Sequence, residues 1–217
     1  MSSREAILGR IRAALTDVPR GETPEDVPVP RTYRRGHVEP GVDVVALFDE
    51  RVADYRATVT RTDPAGLPAA IAAALTARGV RQLALPDGFP VELLPPGDWE
   101  WHPEPLDIPQ LDALEGTITL AAAGIAVTGT IVLDTGPGQG RRALTLVPDY
   151  HLCVVRAEQI ADDVPDALAR LDPSRPLTFI SGPSATSDIE LNRVEGVHGP
   201  RTLDVVIVDT ARSEHHV

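Results

Sequence analysis

Three short segments in the second half of the chain, YHLCVVRA (150–157), PLTFISG (176–182) and TLDVVIVD (202–209), are nearly continuous in apolar residues. A strand with one solvated face alternates apolar with polar residues. These segments do not alternate, so both of their faces are predicted to be covered. Helical patterns separate the strand-like runs along the chain. The combination predicts an α/β fold with a largely parallel sheet flanked by helices.

The remaining elements follow from spacing and punctuation. Ser2 or Ser3 can cap a first helix, with Glu5 in its first turn and Ile7, Leu8, Ile11 and Leu15 on one face. Residues 18–40 hold five prolines (Pro19, Pro24, Pro28, Pro30, Pro40), which predicts an extended linker. RTYRR at 31–35 reads as part of a solvated arm. The chain thus divides into a helix with a Pro-rich arm at 1–40 and an α/β domain at 41–217.

In the domain, a helix is expected from about Asp43 to Arg56, a strand at 57–62, a helix from Pro64 to Gly79 and a strand at 81–86. Residues 86–109, rich in Pro and Trp, read as an irregular excursion. LDALEGTITLAAAG (111–124) has helical character, with TITL open to a strand reading. GIAVTGTIVLDTG (124–136) reads as one or two strands bent at Gly129. AEQIADDVPDALARL (157–171) is expected to be helical despite Pro165.

Composition removes several chemistries. All 20 cationic side chains are Arg, and there is no Lys. That excludes Schiff-base catalysis, a pyridoxal anchor and a P-loop lysine. One Cys excludes an internal disulfide, a Cys-rich zinc site and an iron–sulfur cluster held by this chain alone. No apolar run approaches the roughly 20 residues of a bilayer span. MSSREAILGRIRAAL carries charges through its apolar stripe and does not read as a signal peptide, so a cytoplasmic protein is expected. Residues 41–217 carry 13 Arg against 26 acids. So acidic a body repels nucleic acid, and local donors must attract any anionic substrate.

Asp134-Thr135-Gly136-Pro137-Gly138-Gln139-Gly140-Arg141-Arg142 follows a predicted strand. Its alternating glycines can aim backbone N–H groups at an anion, and the arginines can add bidentate donors. An ordinary tight turn with surface Arg explains it equally well. The order GxGxG, with no clear helix after it, matches a dinucleotide fingerprint poorly.

Ser181-Gly182-Pro183-Ser184-Ala185-Thr186-Ser187-Asp188-Ile189-Glu190 also follows an apolar strand. Asp188 or Glu190 can serve as a general base or ligand-orienting group, or can sit in the first turn of a helix capped by Ser184 or Thr186. His198, between Gly196 and Gly199, can move a proton near neutral pH. His151, inside an apolar strand, reads as a satisfied core residue, and Cys153 as a buried, inert thiol. His215 and His216 belong to a tail with at most adventitious metal affinity, and no metal site is expected.

TGTIVLDTGPGQGRRALTLVPDYHLCVV, then SGPSATSDIE, then GVHGPRTLDVVIV, in this order and spacing, resemble the LUD-domain family in its lactate utilization protein C branch. The likeness is strong from about 116 to 209 and loose before about 110. Thr128, Gly129, Thr130, Gly136, Gly138, Gly140 and Arg141 match, as do Ser181, Gly182, Pro183, Ser184, Thr186, Asp188, Ile189, Glu190, His198, Gly199 and Pro200. Val127 stands where many members carry an acid.

The resemblance implies a fold like that of glucosamine-6-phosphate deaminase, ribose-5-phosphate isomerase and the CoA transferases. It also implies a place in a three-component system that oxidises L-lactate to pyruvate. There the iron–sulfur clusters belong to the other two components, and this chain is expected to hold no cofactor.

The candidate catalytic residues are Asp188, Glu190 and His198. The candidate substrate-binding residues are Thr128, Gly129, Thr130, Gly136, Gly138, Gln139, Gly140, Arg141, Ser181, Gly182, Ser184 and Thr186, for a small carboxylate or phosphate. The alternatives are a stand-alone isomerase or acyl-transferase acting on a small anion, and a regulatory module that binds a small carboxylate.

Overall fold

The computed structural model describes residues 2–19, 21, 23, 26, 29–30, 36–186, 194–195 and 198–209. The chain divides into two compact units, Met1–Arg34 and Arg35–Val217. In the first, α1 spans Ser3–Ala14. The Ser2 hydroxyl accepts from the Glu5 N–H at 3.3 Å while the Glu5 carboxylate accepts from the Ser2 N–H at 2.7 Å, a reciprocal cap. Ile7, Ile11 and Leu15 lie on the exposed surface of this unit.

The second unit begins with α2 (Val44–Asp54), capped by the Asp43 carboxylate, followed by β1 (Thr58–Thr62). Then come α3 (Leu67–Arg78) and β2 (Gln82–Leu85). Gly79 closes α3 in the left-handed region, as the punctuation predicts, but the helix begins at Leu67 with Pro68, and not Pro64, in its first turn.

Residues 86–109 hold more than an irregular excursion. They contain a 3₁₀ turn and β3 (Glu100–Pro103), an edge strand paired in parallel with β2. Its short EWHP sequence has no apolar periodicity to announce it. α4 is a single short turn at Ile108–Asp112, and TITL belongs to β4 (Gly116–Leu120), buried along most of its length. β5 (Ala123–Ile125) and β6 (Thr130–Leu133) form an antiparallel hairpin that turns at Gly129.

β7 spans Tyr150–Arg156. The helix expected at 157–171 is instead a 3₁₀ turn, the two-residue β8 (Ile160–Ala161) and the short α5 (Val164–Ala169). Pro165 starts α5 rather than interrupting a longer helix, because its missing N–H costs nothing in a first turn. β9 (Thr178–Ile180), β10 (Ala185–Thr186), β11 (Val194–Glu195) and β12 (Thr202–Val208) complete the chain.

The main sheet has six strands in the order β1-β12-β7-β4-β2-β3, and every pair is parallel. A smaller mixed sheet runs β8-β5-β6-β9, and β10 pairs with β11.

Period-two alternation divides the main sheet's side chains between two cores. Leu203, Val205, Ile207, Cys153 and Val155 pack with Phe48 and Val52 of α2 and with Ile131 and Leu133 of the small sheet. Val206, Val208, Leu152 and Val154 pack on the other side with Leu67, Ile71 and Leu75 of α3. Each fully buried aliphatic side chain contributes roughly 1.5–3 kcal/mol. Among the described residues, no helix is long and apolar enough to cross a membrane.

Candidate functional site

A pocket of about 200 Å³ opens beside the main sheet. Its walls come from the loop after β9, from His198-Gly199-Pro200 before β12, and from Arg142 and Thr145 in the 3₁₀ turn ahead of β7. His151 and Leu203, the second residues of β7 and β12, also line it. The pocket therefore lies at the carboxyl end of a small-sheet strand and at the amino ends of two main-sheet strands. The loops after the main-sheet strands, where open α/β sheets usually bind ligands, do not form it.

Hydroxyls and close backbone packing hold its rim. Thr130 Oγ1 lies 2.7 Å from Thr128 Oγ1 and 2.8 Å from Ser181 Oγ, so β6 is tied to the start of the pocket loop. Gly129, at φ 57°, lets this turn approach α2, for a Cβ there would stand 2.5 Å from the Arg51 carbonyl carbon. Gly182, at φ 81°, does the same beside Tyr55. The Ser184 N–H donates to the Pro200 carbonyl at 2.8 Å. Its hydroxyl accepts from the His198 N–H at 3.0 Å. Two stretches far apart in sequence thus form one wall.

The floor carries the unusual chemistry. His151 is buried, and its Nε2 lies 2.8 Å from Thr119 Oγ1 on the neighbouring strand β4. The Thr119 hydroxyl donates on to Cys153 Sγ at 3.6 Å. Burial, and after it the Arg142 charge, push the His151 pKa down to about 3, so the ring is neutral at neutral pH. Burial likewise pushes the Cys153 thiol up to about 12. Arg142, which lines the pocket, donates through one nitrogen to the Thr145 carbonyl at 2.8 Å and hydroxyl at 3.1 Å.

The Gly-rich loop lies elsewhere and bonds to itself and its neighbours. The Gly136 N–H donates to the Asp134 carboxylate, the Gln139 N–H to the Gly136 carbonyl, and the Gly138 N–H to the Asp87 carbonyl just after β2. The Asp134 N–H donates to Gln139 Oε1 at 2.7 Å, and Arg175 pairs with Asp134 at 2.7 Å. Arg141 donates to Glu104 at 2.7 Å and to the Leu106 carbonyl. Gly136, Gly138, Gln139, Gly140 and Arg141 are therefore not among the pocket's lining residues.

Ser181, Gly182, Ser184 and His198 do meet at the pocket, with Thr130 and Thr128 behind Ser181. Asp188 and Glu190 lie outside the described residues, as do His215 and His216. Thr186 lies in β10, where only the backbone is described. Among the described residues, no group of three or more His, Cys, Asp or Glu could hold a metal ion.

Sequence reasoning named Arg142 with Arg141 as an anion donor of the Gly-rich segment but left it off the candidate site, and it missed Thr145 and His151 as pocket residues. A signal for His151 existed, since period two along YHLCVV places it on the same face as Cys153. That reading stopped at a satisfied core histidine. The structure shows a residue that is both satisfied at Nε2 and positioned at a cavity.

The LUD-domain family model matches residues 110–208, a span that contains every residue lining the pocket. Lactate utilization protein C of Deinococcus radiodurans is 43% identical over 196 residues, which cover 87% of this chain and 89% of that protein. Proteins of the same name from Halalkalibacterium halodurans and Geobacillus sp. are 35% and 32% identical over 42% and 50% of this chain. Those two matches span about half the relatives' own length, 43% and 53%. The crystal structure of a duf162 family protein from Deinococcus radiodurans superposes with a TM-score of 0.65 at 39% identity, covering 76% of this chain and 96% of that one.

Proposed function

Because the chain belongs to the LUD-domain family, we propose that it serves lactate utilization as a cytoplasmic component without a redox centre, acting with iron–sulfur partner proteins. The observation that carries this reading is the 43% identity, over nearly the whole chain, to a protein named for lactate utilization. The pocket supports it, since Arg142 and the hydroxyls of Ser181 and Ser184 suit a small carboxylate.

Oxidation of L-lactate to pyruvate releases two electrons and two protons, and the electrons need a carrier. A cluster needs thiolates. Cys153 is fully buried in β7 with its thiol held protonated, so this chain's residues do not fit a cluster. In the proposed system the electrons pass to clusters in the partner proteins, and this chain contributes ligand binding.

The test is deletion of the gene followed by lactate-dependent reduction of an artificial acceptor in extracts. Loss of activity, restored by the purified chain only when the partner proteins are present, is the expected result. Turnover of lactate by the purified chain alone would overturn the reading, as would undiminished activity after deletion.

A further inference from the structure

The pocket's size, charge and hydroxyls together bound what it can hold. A cavity of roughly 150 Å³ takes benzene, a ligand of about six heavy atoms. L-lactate has the same number of heavy atoms. The pocket measures about 200 Å³. A bound lactate therefore leaves space for about two more heavy atoms, or for one or two waters at roughly 30 Å³ each.

A second acid, an alkyl chain or a hydroxyl could fill that space. A second acid needs a second cation. Arg142 is the one Arg among the lining residues, and the chain has no Lys. Burial keeps the His151 ring neutral, so it offers no charge either.

An alkyl chain would displace water from serine hydroxyls that the protein does not saturate. Both Ser181 and Ser184 line the pocket. Ser184 Oγ accepts from the His198 N–H and, among the described residues, keeps its own hydrogen to give. Ser181 Oγ shares one bond with Thr130 Oγ1 at 2.8 Å, and a hydroxyl has one donor and two acceptor positions. Groups that both donate and accept match a hydroxyl on the ligand. A carboxylate only accepts.

We infer that the pocket prefers a monocarboxylate that carries one hydroxyl more than lactate, a 2,3-dihydroxy acid such as glycerate. Arg142 holds its carboxylate, and the added hydroxyl takes the place of water at Ser181 and Ser184. The inference rests on the reading of the pocket as a carboxylate site and adds what that carboxylate carries.

The test is titration calorimetry of the full chain at pH 8, where imidazoles are normally neutral, with four L-acids. Lactate, glycerate, 2-hydroxybutyrate and malate place hydrogen, hydroxyl, methyl and carboxylate at one position. Glycerate should bind about three- to tenfold more tightly than lactate, the value of one added neutral hydrogen bond. 2-Hydroxybutyrate should bind no more tightly than lactate, because its methyl gives the serines no partner. Malate should bind more weakly than lactate, because its second carboxylate meets no second cation. Ser181→Ala removes a hydroxyl without adding bulk, and should bring lactate and glycerate to within about twofold.

The four-ligand comparison on the unaltered chain does not depend on any variant folding. Glycerate binding no more tightly than lactate overturns the inference, as does 2-hydroxybutyrate or malate binding more tightly than glycerate. A glycerate preference undiminished in Ser181→Ala also overturns it. If lactate binds and glycerate has no advantage, the preference falls and the carboxylate site stands. If none of the four acids binds, both fall, and lactate utilization after gene deletion alone judges the broader role. If the preference is measured but the chain is dispensable for lactate utilization, the broader role falls instead.

Discussion

The segments Asp134–Arg142 and Ser181–Ser184 both leave the carboxyl ends of small-sheet strands, β6 and β9, and both pair glycines with a proline and polar side chains. They use their polar groups in opposite ways. The first closes on itself, with Asp134, Gly136, Gly138 and Gln139 bonded to one another or to Asp87. The second bonds outward to β6 and to the segment before β12, and a cavity remains between. Arg141 and Arg142 show the same split at adjacent positions. Arg141 is committed to Glu104 and the Leu106 carbonyl, while Arg142 spans Thr145 and borders the pocket. Residue types that can bind an anion therefore do not locate a site. What matters is whether a nearer acceptor has already taken the donors.

The largest expected effect lies at the hinge of the outward loop. In Gly182→Ala the new Cβ would meet Tyr55 Cβ at 2.5 Å and the Tyr55 carbonyl oxygen at 2.9 Å, in a backbone conformation at φ 81° that side chains disfavour. Strain and overlap together predict a loss of about 2–4 kcal/mol in urea denaturation. Gly138→Ala, at φ 74° in the closed loop, meets the Leu120 side chain instead of backbone, and should cost about 1–2 kcal/mol. Equal losses would mean that the two loops are anchored alike.

The second effect separates the loops by pH. His151 holds a folded-state pKa of about 3, against roughly 6.5 in the unfolded chain. Between those values the unfolded chain takes up a proton that the native state refuses. This contribution is therefore fully present above about pH 6.5 and is lost as pH falls toward 3, by at most about 1.4 kcal/mol per unit. His151→Gln should flatten the stability profile between pH 7 and 5.5. Gln139→Ala in the closed loop should leave that slope unchanged. An unaltered slope in His151→Gln would mean that the ring is already solvated in the native state.

The fold was legible where one physical signal acted alone. Buried strands announced themselves as apolar runs at 150–157 and 202–209, but the run at 176–182, read the same way, became β9 of the small sheet with Phe179 exposed. Asp43 and Gly79 mark the start of α2 and the end of α3 in the structure as well. β3 was not legible, because EWHP is an edge strand fixed by pairing with β2 and not by its own pattern. The 157–171 segment misled because its helical spacing competes with two residues that add to the small sheet beside β5.

For the site, Ser181, Gly182, Ser184 and His198 were legible as a polar loop and a glycine-flanked histidine. Arg142 was legible as an anion donor but not as the one of the two arginines that borders the pocket, and His151 was not legible, because its role depends on Thr119, a partner that only the folded chain brings near.

The third effect tests the closed loop's self-sufficiency. Gln139 is buried, and its side chain satisfies the buried Asp134 N–H. Gln139→Ala leaves that donor unpaired and should cost about 1–3 kcal/mol. Binding of L-lactate measured by calorimetry should not change, since the loop is not part of the pocket wall. A loss of affinity larger than threefold, at temperatures where the variant is folded, would join the two loops into one site and break the comparison.

The smallest effect tests the outward loop's remaining bond. The Ser184 hydroxyl accepts from the His198 N–H, and the backbone bond from Ser184 to Pro200 would survive its removal. The partners are partly exposed, so water can replace the lost acceptor. Ser184→Ala should cost about 0.5–1 kcal/mol in denaturation. Its weight falls on binding instead, because the freed His198 segment no longer holds its wall of the pocket in one place. Lactate affinity should therefore drop by more than the stability loss implies, opposite to Gln139→Ala, where stability falls and affinity holds. If Ser184→Ala and Gln139→Ala shift stability and affinity in the same proportion, the distinction between a closed and an outward loop has no functional content.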